Sequence, residues 1–256
     1  MTAAFCYAKL GIKPDLIATL AADWLGRMFV EMATKYDVRL HERTVESSSL
    51  SFIVPKNGKR AIVRCRDDHY LTSCPELDLK DCRALHAEGH QADAALYYAQ
   101  RCRKAGILTS LDGGGLRVNT HDLLTFIDVA IVAERFSQQM DKMPQAMLEY
   151  LKSRGCKIGG VTLGERGSCG TTRTAVSRRC QRIPFQPNEC ETQAAPVTFS
   201  RCLYLFLSHQ TKPKLEGSFP IRDCRLDIQD PASWQRFKTL RRSRPSLIWV
   251  PRGRSD

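Results

Sequence analysis

Chemistry that moves a charged group needs a cradle for an anion and polar side chains converging beside it. Three stretches of this sequence have the right residue types. Glu88-Gly89-His90-Gln91, Asp112-Gly113-Gly114-Gly115 and Gly164-Glu165-Arg166-Gly167 each follow an apolar run that reads as a strand. Two of the three are glycine-rich, and glycine lets successive backbone N–H groups approach a phosphate. Glycines after a strand equally make plain turns, and residue type leaves both readings open. His86 and His90 are four apart, but a strand end is the wrong place for the helical spacing of a metal pair, so they read as structural. The eleven cysteines are odd in number and include no Cys-x-x-Cys pair. That argues against zinc ribbons and disulfide frameworks and for reduced thiols packed as small apolar residues.

The elements that must position these stretches alternate. Residues 15–20 read as a buried strand, and Trp24, Leu25, Met28, Phe29, Met32 and Ala33 recur at helical spacing after it. Residues 49–54 and 60–63 flank Pro55-Lys56-Asn57-Gly58, where Asn-Gly marks a hairpin turn. Residues 83–88 read as a strand, followed by a helix with Ala95, Tyr98, Ala99 and Cys102 on one face. Then come a strand at 107–111, a helix at 123–127, a strand at 129–132, a helix at 144–154 and a strand at 158–163. Strands alternating with helices predict a parallel sheet with helices on both faces, where ligands sit beyond the carboxyl ends of the strands. The three loops above all fall there.

Composition divides the chain near Gly167. Residues 168–256 carry 16 Lys+Arg against 7 Asp+Glu and hold 8 of the 12 prolines, whereas residues 1–167 carry 23 against 20. The overall charge of +12 therefore belongs mostly to the last third. Arg241-Arg242-Ser243-Arg244 with Trp234 and Trp249 would suit a nucleic-acid-binding tail, as arginines meet phosphates and aromatic rings stack on bases. No apolar run approaches the roughly 20 residues of a membrane helix, and the first residues lack the pattern of a secretion signal. A cytoplasmic protein without a membrane partner is expected.

Val161-Thr162-Leu163-Gly164-Glu165-Arg166-Gly167 resembles the nucleotide-loop segment of the PfkB/ribokinase-type sugar kinases. Leu10-Gly11, Asp23-Trp24-Leu25-Gly26, Asn57-Gly58-Lys59-Arg60, Leu85-His86-Ala87-Glu88-Gly89 and Leu111-Asp112-Gly113-Gly114 follow in that family's order and spacing. The resemblance covers residues 2–167, and the ketohexokinase-like and sulfofructose-kinase-like branches are the most similar. It implies an α/β fold, a ribokinase-like three-layer sandwich with a β-hairpin flap, here incomplete. It implies ATP and Mg2+, and a sugar whose hydroxyl is phosphorylated. By position, Glu88 matches a sugar-contacting glutamate, or else is a surface carboxylate after a strand. Arg60 matches an arginine near the ATP phosphates, apt because guanidinium grips phosphate in a fork, or else is an exposed hairpin charge. Thr162, Gly164 and Gly167 match the nucleotide loop, and Asp112 may simply cap its turn. The flap, residues 45–66, could also serve a homodimer or a non-catalytic ATP-binding module.

The chain departs from the family in three places. Ala133-Glu134-Arg135-Phe136 stands where the family has Asn-x-x-Glu, a motif that the ketohexokinase branch also lacks. The Gly-Gly-Asn sugar motif would fall just before Thr2. The Asp-Thr-x-Gly-Ala-Gly-Asp motif, whose last aspartate takes the hydroxyl proton, is absent, and Glu191-Thr192-Gln193-Ala194-Ala195-Pro196-Val197-Thr198-Phe199 occupies its place. One choice of codons that could encode that stretch is GAG ACA CAA GCG GCG CCG GTG ACG TTT, and read from their third base they spell Asp-Thr-Ser-Gly-Ala-Gly-Asp-Val. The same offset at residues 168–172 gives Val-Trp-Tyr-Asp, fitting the strand expected there, and at 218–234 a plausible helix. Residues 1–167 are therefore expected to be the kinase core and residues 168–256 an out-of-frame, poorly folded tail. With no catalytic aspartate, the chain itself is expected to be an inactive fragment.

Overall fold

The computed structural model describes residues 2–9, 11–56, 59–171 and 176–180. Helix α1 (Thr2–Lys9), strand β1 (Asp15–Leu20), helix α2 (Trp24–Lys35) and strand β2 (Arg39–Thr44) open the chain. β1 and β2 pair in parallel from Asp15↔Arg39 to Leu20↔Thr44. Their helices close a small apolar cluster of Ala4, Ala33 and Val38, where the Phe5 ring meets Phe29 and Tyr36 edge-on at 6.1 and 5.7 Å. The start of α2 is fixed by Asp23, whose Oδ1 accepts from Gly26 N at 2.8 Å. The same carboxylate accepts from Ser48 N and Ser48 Oγ, so the cap also holds the segment leading into the flap.

The flap is an antiparallel hairpin of β3 (Leu50–Lys56) and β4 (Lys59–Cys65), in register from Leu50↔Cys65 to Lys56↔Lys59. That register requires the two-residue connection that Asn57-Gly58 predicts; the turn itself lies outside the described residues. Phe52 and Val63 face each other across the ladder and are 58% and 62% exposed. Behind the flap, Asp67 accepts from Ser47 N and His69 N, and Val45 bridges to Tyr70. Arg43 lies over the Tyr70 ring at 3.7 Å and grips Asp93 at 2.8 and 2.6 Å.

The main sheet begins at β5 (Ala84–Ala87), and helix α3 (Ala92–Lys104) leads to β6 (Leu108–Gly113). Helix α4 (Thr120–Leu124), β7 (Val129–Ala133), helices α5 (Glu134–Gln139) and α6 (Pro144–Ser153) and β8 (Ile158–Thr162) follow. A single 3-10 turn, Gly164–Arg166, then leads to β9 (Ser168–Thr171) and β10 (Val176–Cys180). The order across the sheet is β10-β9-β8-β7-β6-β5. β5 through β8 run parallel, and β9 and β10 are added antiparallel. Strand β7, Val129-Ala130-Ile131-Val132-Ala133, is a continuous apolar run, as a strand covered on both faces should be. Leu124, Ile127, Phe136, Leu148, Leu151 and Val161 are fully buried in the core beside it. At the amino ends of the strands, Asp128 accepts from Thr109 N and pairs with Arg103 and Lys157 at 2.6 and 2.7 Å.

The α/β alternation predicted from the sequence is present, with corrections. The helix expected at 123–127 is α4, Thr120–Leu124, shifted toward the amino end. The strand expected to stop at Leu111 runs through Asp112 to Gly113. α1, β2 and α5 carry no clear apolar period, and the sequence pattern alone does not predict them. β2, Arg-Leu-His-Glu-Arg-Thr, is held by its backbone pairing and by polar partners, His41 to Asp15 and Arg43 to Asp93. The helical spacing of Trp24, Met28 and Met32 is real, but these three lie on the exposed side of α2, and its buried residues are Gly26 and Ala33. Two strands of the main sheet, β9 and β10, come from residues beyond Gly167. The rest of the basic tail, residues 181–256, with its arginine cluster and the off-frame motif, lies outside the described residues.

Candidate functional site

The carboxyl ends of β5 and β6 bring together side chains far apart in sequence. β5 pairs with β6 through Ala87↔Leu111, which sets Glu88 one residue past the end of one strand and Asp112 on the neighbouring strand. Asp112 is the fifth residue of β6 rather than a turn cap. Its carboxyl is partly buried, accepts no hydrogen bond from another described residue, and is pushed up to about 6 by burial and by the negative charge of Glu88. Burial also acts to raise Glu88, but the opposing charge around it outweighs this and leaves its carboxyl below the ordinary range. A carboxyl kept without partners beside a second carboxylate is a mark of a functional site rather than of a stability device.

The two histidines do separate work. The Ser110 hydroxyl donates to Leu85 O at 3.1 Å, so His86 Nδ1, 3.0 Å from the same oxygen, must donate to it. Burial holds the His86 ring neutral, with its pKa down to about 4. His90 Nε2 accepts from Arg117 Nη2 at 3.0 Å, and burial together with the charges of Arg117 and Arg66 also brings His90 down to about 4. Both are neutral at physiological pH and serve as fixed parts of the wall, as the strand-end position suggested. Gly89, at φ +69°, lies under the Arg117 stem, and a Cβ there would stand 3.2 Å from Arg117 Cδ. The Arg117 loop is braced by Thr120 Oγ1 to Arg117 N at 2.9 Å and by Gln139 Oε1 to Leu116 N at 2.7 Å.

The second half of the site lies across the sheet. β8 is three strand steps from β5, about 14 Å at the usual spacing. Thr162 ends β8 and stands opposite Ser168 of β9. Gly164 and Gly167 follow at φ +60° and +83°, and the loop is closed by Leu163 N to Gly167 O at 2.8 Å. A Cβ at Gly164 would meet nothing within 4 Å, so the space beside this backbone is open. Arg166 is engaged by Glu134 at the start of α5. Among the described residues, no group of three His, Cys, Asp or Glu side chains is placed to hold a metal. Arg60 is the second residue of β4, paired with Pro55, which puts it on the flap; its side chain lies outside the described residues.

No family model and no curated protein matches the sequence. Solved structures do match. A protein of Agrobacterium tumefaciens assigned as a ribokinase superposes with a TM-score of 0.69 at 20% identity, over 83% of this chain and 72% of the other. Ribokinase from Giardia lamblia gives 0.67 at 14%, over 82% and 72%. Adenosine kinase from Schistosoma mansoni gives 0.63 at 11%, over 83% and 73%. The chain has the ribokinase fold. The α/β class, the parallel sheet and the flap anticipated from the motifs are those of this fold, and its structural neighbours include sugar and nucleoside kinases. Among the described residues no helix is long and apolar enough to cross a membrane.

Of the residues named from the sequence, Glu88 stands at the β5–β6 end, and Thr162 ends β8 with Gly164 and Gly167 in the turn after it. Sequence reasoning missed Arg117 and the character of Asp112. The only signal for Arg117 was its place two residues after the glycine run 113–115, where a charged loop residue attracts no notice. For Asp112 the missing datum was the length of β6, which carries the carboxyl into the sheet.

Proposed function

We propose that the chain is built as an ATP-dependent carbohydrate kinase, which moves the terminal phosphoryl group of ATP to a sugar hydroxyl. The single observation that carries this reading is the Glu88–Asp112 carboxyl pair at the strand ends of a ribokinase fold. Two carboxylates side by side accept hydrogen bonds from adjacent hydroxyls of a sugar. The sugar would lie over β5 and β6. ATP, which supplies the phosphoryl group with its magnesium, would set its phosphates at the Thr162–Gly167 backbone, with Arg60 reaching in from the flap. The exposed Phe52, Val54 and Val63 support reading the flap also as a contact between two copies.

Phosphoryl transfer further requires a base for the hydroxyl and donors around the transferring group. The chain contains no Asp-Thr-x-Gly-Ala-Gly-Asp segment, and loss of a general base removes about 10²–10⁴-fold in rate. We therefore read this polypeptide as a kinase scaffold without turnover, its last third translated out of frame. The purified chain, given ATP, magnesium and a panel of sugars, is expected to release no sugar-dependent ADP. A version read at the third-base offset after codon 167, with a Gly-Gly-Asn strand supplied ahead of residue 2, is expected to phosphorylate a sugar. Glu88→Gln in that repaired protein should raise KM for the sugar. Turnover by the chain as written would overturn the inactive reading, and a folded but inert repaired protein would overturn the kinase reading.

A further inference from the structure

The edges of the two parallel sheets differ in character. The outer strand of the small sheet, β2, carries Arg39, His41, Glu42 and Arg43, and the outer strand of the main sheet, β10, carries Arg178 and Arg179. Charged side chains on an edge discourage pairing with another chain. The other two edge strands are β1, Asp-Leu-Ile-Ala-Thr-Leu, and β5, Ala-Leu-His-Ala. Neither contains proline, lysine or arginine, and among the described residues neither is paired with a strand on its second side. Arg39 N donates to Pro14 O and Val45 N to Leu20 O, both at 3.0 Å. The even-numbered residues of β1 therefore face β2, and the backbone N–H and C=O groups of Asp15, Ile17 and Thr19 face the other way. Ile17 O is reached at 3.4 Å by Nε2 of Gln91, on the segment that leaves β5. Arg43, near the end of β2, grips Asp93 on the same segment. The bare edge of β1 thus looks toward the β5 end of the main sheet, with the carboxyl ends of both sheets on one side.

We infer that a separate, extended apolar peptide docks between β1 and β5 by adding as a strand, bonded to the edges of both sheets. The apolar packing on the two sides supports this. Leu16 of β1 rests on the cluster of Ala4, Ala33 and Val38, whereas Leu85 of β5 rests on the main core. β1 is half-buried along its whole length, so its open backbone groups are only partly served by water. Gln91 fills the place poorly. Its bond to Ile17 O is long, its Oε1 is buried and accepts no hydrogen bond from a described residue, and its backbone stands at φ +50°. The amide therefore yields to a true ladder. An occupant of this place bonds on both sides, so it must be a single segment with both edges free. The described strands of a second copy do not qualify, because each is already paired on one side or both. The segment must also be apolar on both faces, as a strand inside a parallel sheet is. Main-chain bonds would give such a peptide its affinity and the two apolar clusters its side-chain preference. The inference stands on backbone geometry and is independent of the kinase reading.

The probe is a fluorescent peptide with the sequence of β7, Val-Ala-Ile-Val-Ala, between two lysines that keep it soluble. Its binding to the purified 256-residue chain is followed by anisotropy, and amide hydrogen exchange by mass spectrometry locates it. Saturable binding is expected, with slower exchange in residues 15–20 and 84–87 when the peptide is present. A peptide N-methylated at every second residue keeps the side chains but loses one of its two ladders, and should bind at least about tenfold more weakly. Gln91→Gly removes the amide that occupies Ile17 O and suits the positive φ, so it should tighten binding about threefold or more. Phe52→Ser, on the exposed flap, should leave binding unchanged. Equal binding of the N-methylated peptide would show apolar adhesion and overturn the inference. Protection confined to the flap, or loss of binding in Phe52→Ser, would place the peptide on the hairpin and overturn it too. Exchange in residues 15–20 of the peptide-free chain as slow as in 129–133 would mean that the place is already filled, by a second copy or by residues 181–256, and would equally refute docking of a separate peptide. So would the absence of any binding.

Discussion

Asp112→Asn should make the protein more stable and its site less able to bind sugar. At about pH 7.5 the fold holds ionised a carboxyl whose pKa has risen from 3.8 to about 6. At about 1.4 kcal/mol per pH unit, that raises the free energy of the folded state by about 3 kcal/mol. The folded state binds this proton more tightly than the unfolded chain does. Stability therefore falls as pH rises from 3.8 to about 6 and is level above that window. Asparagine has nearly the same shape, carries no charge and ends the repulsion from Glu88. Water and local relaxation already relieve part of the strain in the parent, so the expected gain is about 1–2 kcal/mol, or a rise in Tm of about 5 °C. The decisive measurement is thermal melting of parent and variant across pH. The gain should be full at about pH 7.5 and shrink to about a third near pH 4.5, where the parent carboxyl is protonated in the fold. Glu88→Gln should shrink the same pH dependence by removing the charge that helps to raise Asp112. A variant less stable than the parent at neutral pH, or a gain that ignores pH, would refute the claim that Asp112 is a strained and unpartnered carboxyl.

Two further substitutions test the scaffold around the site. Gly26→Ala should destabilise the fold by about 3 kcal/mol or more, because a Cβ there would lie 2.0 Å from Ala21 O and the main chain cannot yield as a side chain can; a variant with an unchanged denaturant midpoint would show that α2 does not pack against that carbonyl. Asp128→Ala should cost about 2–3 kcal/mol at neutral pH, mainly from the buried Thr109 N–H that loses its acceptor, since Arg103 and Lys157 are 38% and 47% exposed and can turn to water. The folded pKa of Asp128 is lowered although burial, the largest influence, acts to raise it; the hydrogen bond and charge of Lys157, the Thr109 N–H and Arg103 together prevail. Its contribution is therefore present above the ordinary carboxylate pKa and is lost as pH falls through the folded value. The Asp128→Ala deficit should narrow in acid, and urea titrations at two pH values would show whether it does.

Apolar periodicity by itself determined most of the framework. β7 is a run of Val, Ala and Ile that only a strand covered on both faces can bury, and α6 opens with Pro144 and repeats Met147, Leu148 and Leu151 on one side. Asn57-Gly58 fixed the length of the flap connection because few other dipeptides fit a two-residue hairpin, and Asp23-Trp24-Leu25-Gly26 marked a capped helix start. These are local signals, written within a few residues of where they act. Pattern reading failed where an element is held by something outside itself. β2 has no apolar face to read and exists because β1 supplies a ladder, Asp15 a partner for His41, and Asp93 and Tyr70 a seat for Arg43. The site depends still more on tertiary structure. Glu88 could be singled out in the sequence, but nothing near it in the chain says that Asp112 will stand beside it or that Arg117 will reach the ring of His90. Parallel pairing of β5 with β6 made the first neighbour, and the turn at Gly89, which sets His90 against the Arg117 side chain, made the second. The physical reason is that charge interactions fall off with distance in space and through solvent, not with separation along the chain. A sequence therefore names the charged groups, and only the fold decides which of them feel one another.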